Sequence, residues 1–173
     1  MNHDSYSDAY ISGILARYRT IAMVGASPTT SRPSYFAMKY LKEKGFRVIP
    51  INPGQAGKEI LGERVYASLE EIGERLDIVD IFRSSEAALE VTRDAIKHGA
   101  KVVWMQLGVR NDEAAKLAEK AGLQVVMNRC PKIEYGRLSG ELGWAGVNSR
   151  RISARRPMLG PKGVQHRVLV AKS

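Results

Sequence analysis

The stretch TIAMVGASPTTSRPSYFAMKYLKEKGFRVIPINP, residues 20–53, decides the fold. Thr20–Gly25 is a short, nearly continuous apolar run, the pattern of a strand buried on both faces. A loop rich in Ser and Thr follows. Pro33 can open a helix, because its missing N–H costs nothing at the first helical position. Phe36, Ala37, Tyr40 and Leu41 recur at helical spacing and form the expected buried face. Gly45 ends that helix by tolerating left-handed backbone. Phe46–Ile51 (FRVIPI) then returns as a second apolar strand. Strand, helix and strand in about thirty residues make a parallel crossover unit of right-handed sense.

Working outward, the alternation continues. Residues 6–18 read as a leading helix with Ile11, Ile14, Leu15 and Tyr18 on one stripe. Asp77–Phe82 is the third strand. A helix from Ser84 to His98 follows, with Ala88, Val91 and Ala95 inward and Gly99 as its stop. Lys101–Gln106 is the fourth strand. Asn111 caps the next helix, with Asp112 and Glu113 in its first turn and Ala114, Leu117, Ala118 and Ala121 facing the core. Leu123–Asn128 is the fifth strand, and a short helix starts at Pro131. Five buried strands alternating with helices predict an α/β fold with a doubly wound parallel sheet, in the order 3-2-1-4-5. Ligands of such sheets bind outside the carboxyl ends of the strands, where the order reverses. That rule selects the segments 25–33, 52–58, 82–84, 106–110 and 128–132.

Charge divides the chain unevenly. Its 173 residues carry a net charge of +9. Residues 149–173 hold seven Lys and Arg and no acid, whereas the rest holds 20 Lys and Arg against 18 acids. The expected organisation is a domain over residues 1–140 and a basic, flexible extension over 141–173. Arg150, Arg151, Arg155 and Arg156 form basic doublets that could touch RNA, anionic lipid or an acidic partner. Only Trp144 lies nearby as an aromatic, so base stacking has little support, and a nucleic-acid-associated role through the basic tail stays as an alternative that the domain body does not support. No apolar run reaches the roughly 18 residues that span a bilayer, which predicts no membrane insertion. The N-terminus lacks a signal-peptide pattern and Cys130 is the one cysteine, so a cytoplasmic location is expected. A homo-oligomer is compatible with this pattern.

The first loop, VGASPTTSRPS (24–34), offers the chemistry of an anion site. Gly25 permits a sharp turn and a close approach of ligand to backbone. Ser27, Thr29, Thr30 and Ser31 supply hydroxyls, and Arg32 a bidentate donor for phosphate. The loop feeds a helix N-terminus, which favours negative charge. An ordinary polar turn would look similar. The Gly-x-Gly-x-x-Gly fingerprint is absent, with Ser27 and Thr30 where the later glycines would stand. The second strand ends in Asn52-Pro53 and not in an acidic residue that would hold a ribose. These two departures count against an NAD-linked enzyme. The Walker pattern is also missing. The second loop, NPGQAGKEILG (52–62), reads as long and flexible, and its Lys58 could meet a phosphate. Arg83 follows the third strand. A solvated surface side chain is the commoner explanation of both.

Four motifs together resemble one family. VGASP (24–28), a strand ending INP (51–53), WMQLG (104–108) and NRCPKIEYGRL (128–138) are similar to the small stand-alone CoA-binding domain proteins. Those are relatives of the N-terminal domain of the succinyl-CoA synthetase α subunit. The resemblance covers roughly residues 10–138. It implies a Rossmann-like fold that binds coenzyme A through the loops after its first strands. It also implies Gly25, Ala26, Ser27 and Pro28 near the diphosphate, and Asn52 and Pro53 near the adenosine. Arg32, Lys58 and Arg83 join this set on charge grounds alone.

No acid/base pair, metal cluster or nucleophile–base spacing stands out. His3, His98 and His166 are scattered, and Glu134 with Arg137 suits a helix-surface ion pair. The chain therefore reads as a CoA or acyl-CoA binding protein without catalysis of its own, or as a subunit lacking its catalytic partner. Cys130 lies on the ligand edge, where a thiolate could exchange with the CoA thiol. A small hydrophobe beside a helix start is the plainer reading of it.

Overall fold

The computed structural model describes residues 1–140; the expected basic extension, 141–173, lies outside the described residues. The elements run α1 (Asp8–Arg17), β1 (Thr20–Val24), α2 (Pro33–Glu43), β2 (Arg47–Ile51), β3 (Glu59–Ile60), β4 (Glu63–Arg64) and β5 (Ile78–Ile81). They continue as α3 (Ala88–His98), β6 (Val102–Met105), α4 (Asp112–Lys120), β7 (Gln124–Val126) and α5 (Pro131–Leu138). All five expected strands are present and all pair in parallel. The fold is Rossmann-like α/β, as the apolar runs predict.

Two apolar layers sandwich the sheet. Ala22, Val79, Val103 and Val125 face one layer, which α3 and α4 cover through Ala88, Ala95, Ala114 and Ala118. Ile21, Met23, Ile78, Val102 and Trp104 face the other, covered by α1 and α2 through Ile11, Ile14, Met38 and Leu41. Alternate residues of each strand thus feed opposite layers, as the pleat requires. Both faces are buried, so the strands read as apolar throughout.

The strand order corrects the expectation. The sheet runs β2-β1-β5-β6-β7, which is 2-1-3-4-5 counted over the five predicted strands, not 3-2-1-4-5. The reason lies between β2 and β5. That segment contains no α-helix, only single 3-10 turns at Pro53–Gln55 and Leu69–Glu71. It folds as the β3–β4 hairpin, turning at Leu61 and Gly62, both with positive φ. Tyr66 then lies along the outer edge of β2 as a parallel bridge to Ile51. Tyr66 N–H donates to Pro50 and Asn52 N–H donates to Tyr66, so the backbone groups a neighbouring strand would use are taken. The free edge of β1 remains. Asp77 fixes the choice, accepting from the N–H groups of Arg19 and Thr20 at the foot of β1. The segment 52–62 is not wholly irregular: it holds the 3-10 turn Pro53–Gln55 and the first strand of the β3–β4 hairpin.

Smaller differences are local. Helix α3 starts at Ala88 rather than Ser84, because residues 85–87 form a turn, and Thr92 rather than Val91 is buried. In α4, Ala115 is buried and Ala121 exposed. In α2, Ser34, Ala37, Met38 and Leu41 form the buried face, and Phe36 points outward.

Candidate functional site

With this order the reversal falls between β1 and β5, so the loops that follow them are neighbours. Gly25 makes that contact possible. Its φ is 91°, and a Cβ there would lie 2.4 Å from the carbonyl oxygen of Phe82. No other residue type fits both the backbone and the space. A cleft of about 880 Å³ opens beside it, along the carboxyl edge of the sheet.

Each wall of the cleft comes from a different element. The β1–α2 loop supplies Gly25, Ser27, Ser31 and Arg32, and α2 supplies Pro33, Ser34 and Phe36. Phe82 and Arg83 follow β5. Gln106, Leu107 and Val109 follow β6, and Cys130, Lys132 and Ile133 start α5. Helix α2 begins with Arg32 at the cap position, no side-chain cap and no acidic residue in its first turn. Helix α4 contrasts with it, capped by Asn111 and carrying Asp112 and Glu113. The positive end of α2 is therefore left uncompensated, next to an arginine, at the mouth of a cleft. The loop itself is held in place. Ser27 N–H donates to Ser34 Oγ, and Thr29 N–H donates to Ser27 Oγ.

Of the nine residues singled out in the sequence, Gly25, Ser27, Arg32 and Arg83 line the cleft. Ala26 is 1% exposed and belongs to the core. Its carbonyl accepts a 2.8 Å hydrogen bond from Asn52 Nδ2, which ties the β2 loop to the β1 loop. Asn52 Oδ1 accepts in turn from Gly54 N–H. Pro28, Pro53 and Lys58 are exposed and stand outside the cleft walls; Lys58 Nζ donates to Gln55 Oε1 at 3.1 Å. Gln106, Leu107 and Lys132 line the cleft from segments that the strand-end rule selects, although none was singled out as a site residue. Phe36 and Ile133 also line it, from α2 and α5, and lie outside those segments.

The chemistry at the far end is restrained. Asp80, in the middle of β5, is fully buried, and burial pushes its carboxyl up to about 8. Gln106 Nε2 donates to both of its oxygens, at 2.9 and 3.1 Å. Gln106 itself is 5% exposed and lines the cleft in front of the carboxyl. Burial pushes the Cys130 thiol up, and the neighbouring Asp80 adds to the effect. A raised thiol is a poor nucleophile near neutral pH. Among the described residues no group of three or more His, Cys, Asp or Glu could hold a metal. No helix among them is long and apolar enough to cross a membrane.

Comparison with known proteins identifies the lineage. The model of the CoA binding domain family matches residues 19–136, which contain the whole sheet and all of the cleft. The chain belongs to this CoA binding domain family. The protein YneT of Bacillus subtilis is 36% identical over 129 residues, 75% of this chain and 94% of its own. A hypothetical protein from Pyrococcus horikoshii OT3 superposes with a TM-score of 0.76 and 44% identity, covering 81% of this chain and 97% of that one. An ADP-forming acetate–CoA ligase of Methanocaldococcus jannaschii is 30% identical over 83 residues, 48% of this chain. The match spans only 12% of that ligase. As a CoA binding domain, the chain thus has relatives of its own size and a counterpart within a much larger synthetase-like enzyme.

Proposed function

We propose that this protein binds coenzyme A or an acyl-CoA in the β1–β5 cleft and performs no catalysis of its own. The observation that carries the proposal is the bare N-terminus of α2 beside Gly25, with Arg32 at its cap and Ser31 and Ser34 next to it. A diphosphate suits that combination of helix dipole, hydroxyls and a guanidinium. In this reading Gly25 and Ser27 face the diphosphate, Ala26 holds their loop against the core, and Pro28 adjoins the same loop outside the cleft walls. Asn52 and Pro53 adjoin the adenosine, joined to the same loop through the Ala26 carbonyl. Arg83 adds positive charge within the cleft, and Lys58 adds it from the β2 loop outside the cleft walls. The reading without catalysis draws support from the enclosed Asp80 carboxyl behind Gln106 and from the raised Cys130 thiol.

Calorimetric titration of the full chain with CoA tests this. Arg32→Ala removes a charge-assisted contact worth about 1.5–3 kcal/mol, so affinity should fall roughly 10- to 100-fold. Arg32 is exposed and holds no ion pair among the described residues, so the fold should survive. Unchanged affinity in Arg32→Ala would remove the diphosphate from this loop. Release of free thiol from acetyl-CoA by the wild-type protein would contradict the non-catalytic reading.

A further inference from the structure

Four large hydrophobic side chains are notably exposed among the described residues, and three of them meet at this cleft. Phe36 is 51% exposed, Leu107 56% and Ile133 47%. They come from α2, the loop after β6 and the first turn of α5, and all three line the same concavity. Exposed apolar side chains scattered singly need no explanation, but convergence on a concave surface does. Helical spacing from Ala37 and Leu41 would have allowed Phe36 into the core. Instead Met38 fills that layer and Phe36 turns to the cleft.

The cleft also has a polarity gradient. Its β1 end carries Ser27, Ser31, Arg32 and the bare helix start. Its far end, at β6 and α5, carries Leu107, Val109, Cys130 and Ile133, with the Gln106 amide and the Lys132 ammonium as the polar groups beside them. Three inter-strand steps separate β1 from β7, roughly 14 Å along the sheet edge. A ligand anchored by phosphates at β1 would extend its flexible arm along this edge toward the apolar end. Gln106 is the buried polar side chain on the way, and its amide nitrogen is already engaged by Asp80.

We propose that Phe36, Leu107 and Ile133 form a seat for the aliphatic acyl chain of a CoA thioester, so that the protein prefers acyl-CoA with several carbons over free CoA. This rests on the CoA reading of the cleft above and names its ligand class. The occupant is a chain and not a flat protein surface, because the three side chains border a concavity continuous with the phosphate end.

Calorimetric titration of the full chain with CoA, acetyl-, butyryl- and hexanoyl-CoA at constant salt tests the proposal. Burial of a methylene is worth about 0.8 kcal/mol, so affinity should rise two- to fourfold for each carbon added, roughly, up to the depth of the seat. Leu107→Ser and Ile133→Ser replace exposed side chains and leave the core intact. Each should lower the ratio of hexanoyl-CoA to CoA affinity by about threefold or more, and the double variant further. CoA binding with no dependence on chain length would overturn the acyl seat while leaving the CoA reading in place. A dependence that survives in the double variant would overturn the assignment to these residues. Concentration-dependent dimers in sedimentation, abolished by the double variant and joined to a flat chain-length series, would assign the patch to a second copy instead. Binding of no CoA species at all would remove the underlying reading together with the seat.

Discussion

At the scale of single residues, Asp80 sets the least expected constraint. A carboxyl in the centre of a parallel sheet loses its hydration, and one glutamine amide offsets little of that loss. Its folded-state value, about 8, lies above the unfolded value of about 4. The native protein therefore holds a proton that the unfolded chain has released between those limits. Stability from this group is fully present below about pH 4 and is lost as pH rises toward 8, by at most about 1.4 kcal/mol per pH unit. Asp80→Asn removes the titration and keeps a hydrogen-bonding partner for Gln106. Urea denaturation from about pH 5 to about pH 8 should show the variant gaining on the wild type steadily as pH rises. A constant difference across that range would mean that Asp80 is ionised throughout. Asp80 was legible only as one polar letter in an apolar strand, since burial and a partner 26 positions away do not show in sequence. Phe36 was read in the wrong direction for a related reason. Helical spacing defines a face about 100° wide, and a residue at its margin goes to core or solvent according to what packs there.

At the scale of elements, the exposed edge of β7 is managed by side chains. Tyr10 Oη accepts from Val125 N–H at 3.2 Å and donates to the Val125 carbonyl at 3.1 Å. Tyr6 Oη accepts from Met127 N–H at 2.7 Å. The two rings stack with centroids 5.8 Å apart. Two tyrosines from the leading segment thereby occupy backbone groups that would otherwise template another strand. Tyr10→Phe strips both bonds from Val125 and should cost about 1–3 kcal/mol. Hydrogen exchange at the Val125 amide should accelerate in that variant while the amides of β1, at the sheet centre, change only with global stability. Equal acceleration in β1 and β7 would assign Tyr10 a general packing role. Strands and helices were readable one by one, because an apolar run or a helical stripe is local. Which edge each strand joins was not, because Tyr66 blocks β2 and Asp77 anchors β5 from outside any strand's own pattern.

At the scale of the whole molecule, topology and ligand chemistry depend on each other. The order 2-1-3-4-5 brings Gly25 against Phe82 and opens the cleft between the β1 and β5 loops. The expected order, 3-2-1-4-5, would have put the reversal between the first and fourth strands and set Arg83 far from the first loop. Even so, the motifs that carried the family resemblance lie on the rim and needed no strand order, which is why the ligand class was legible when the topology was not. The apolar end was not, since Leu107 and Ile133 resemble core residues until their exposure is seen.

The most direct test of CoA recognition is the thermal midpoint of the full chain with CoA, NAD or ATP added in turn. CoA at about 100 times its dissociation constant should stabilise the fold by roughly 2.7 kcal/mol and raise the midpoint by roughly 5–10 °C, with NAD and ATP producing little shift. A midpoint unmoved by CoA and raised by NAD or ATP would contradict the account, leaving the fold intact and its ligand wrongly assigned.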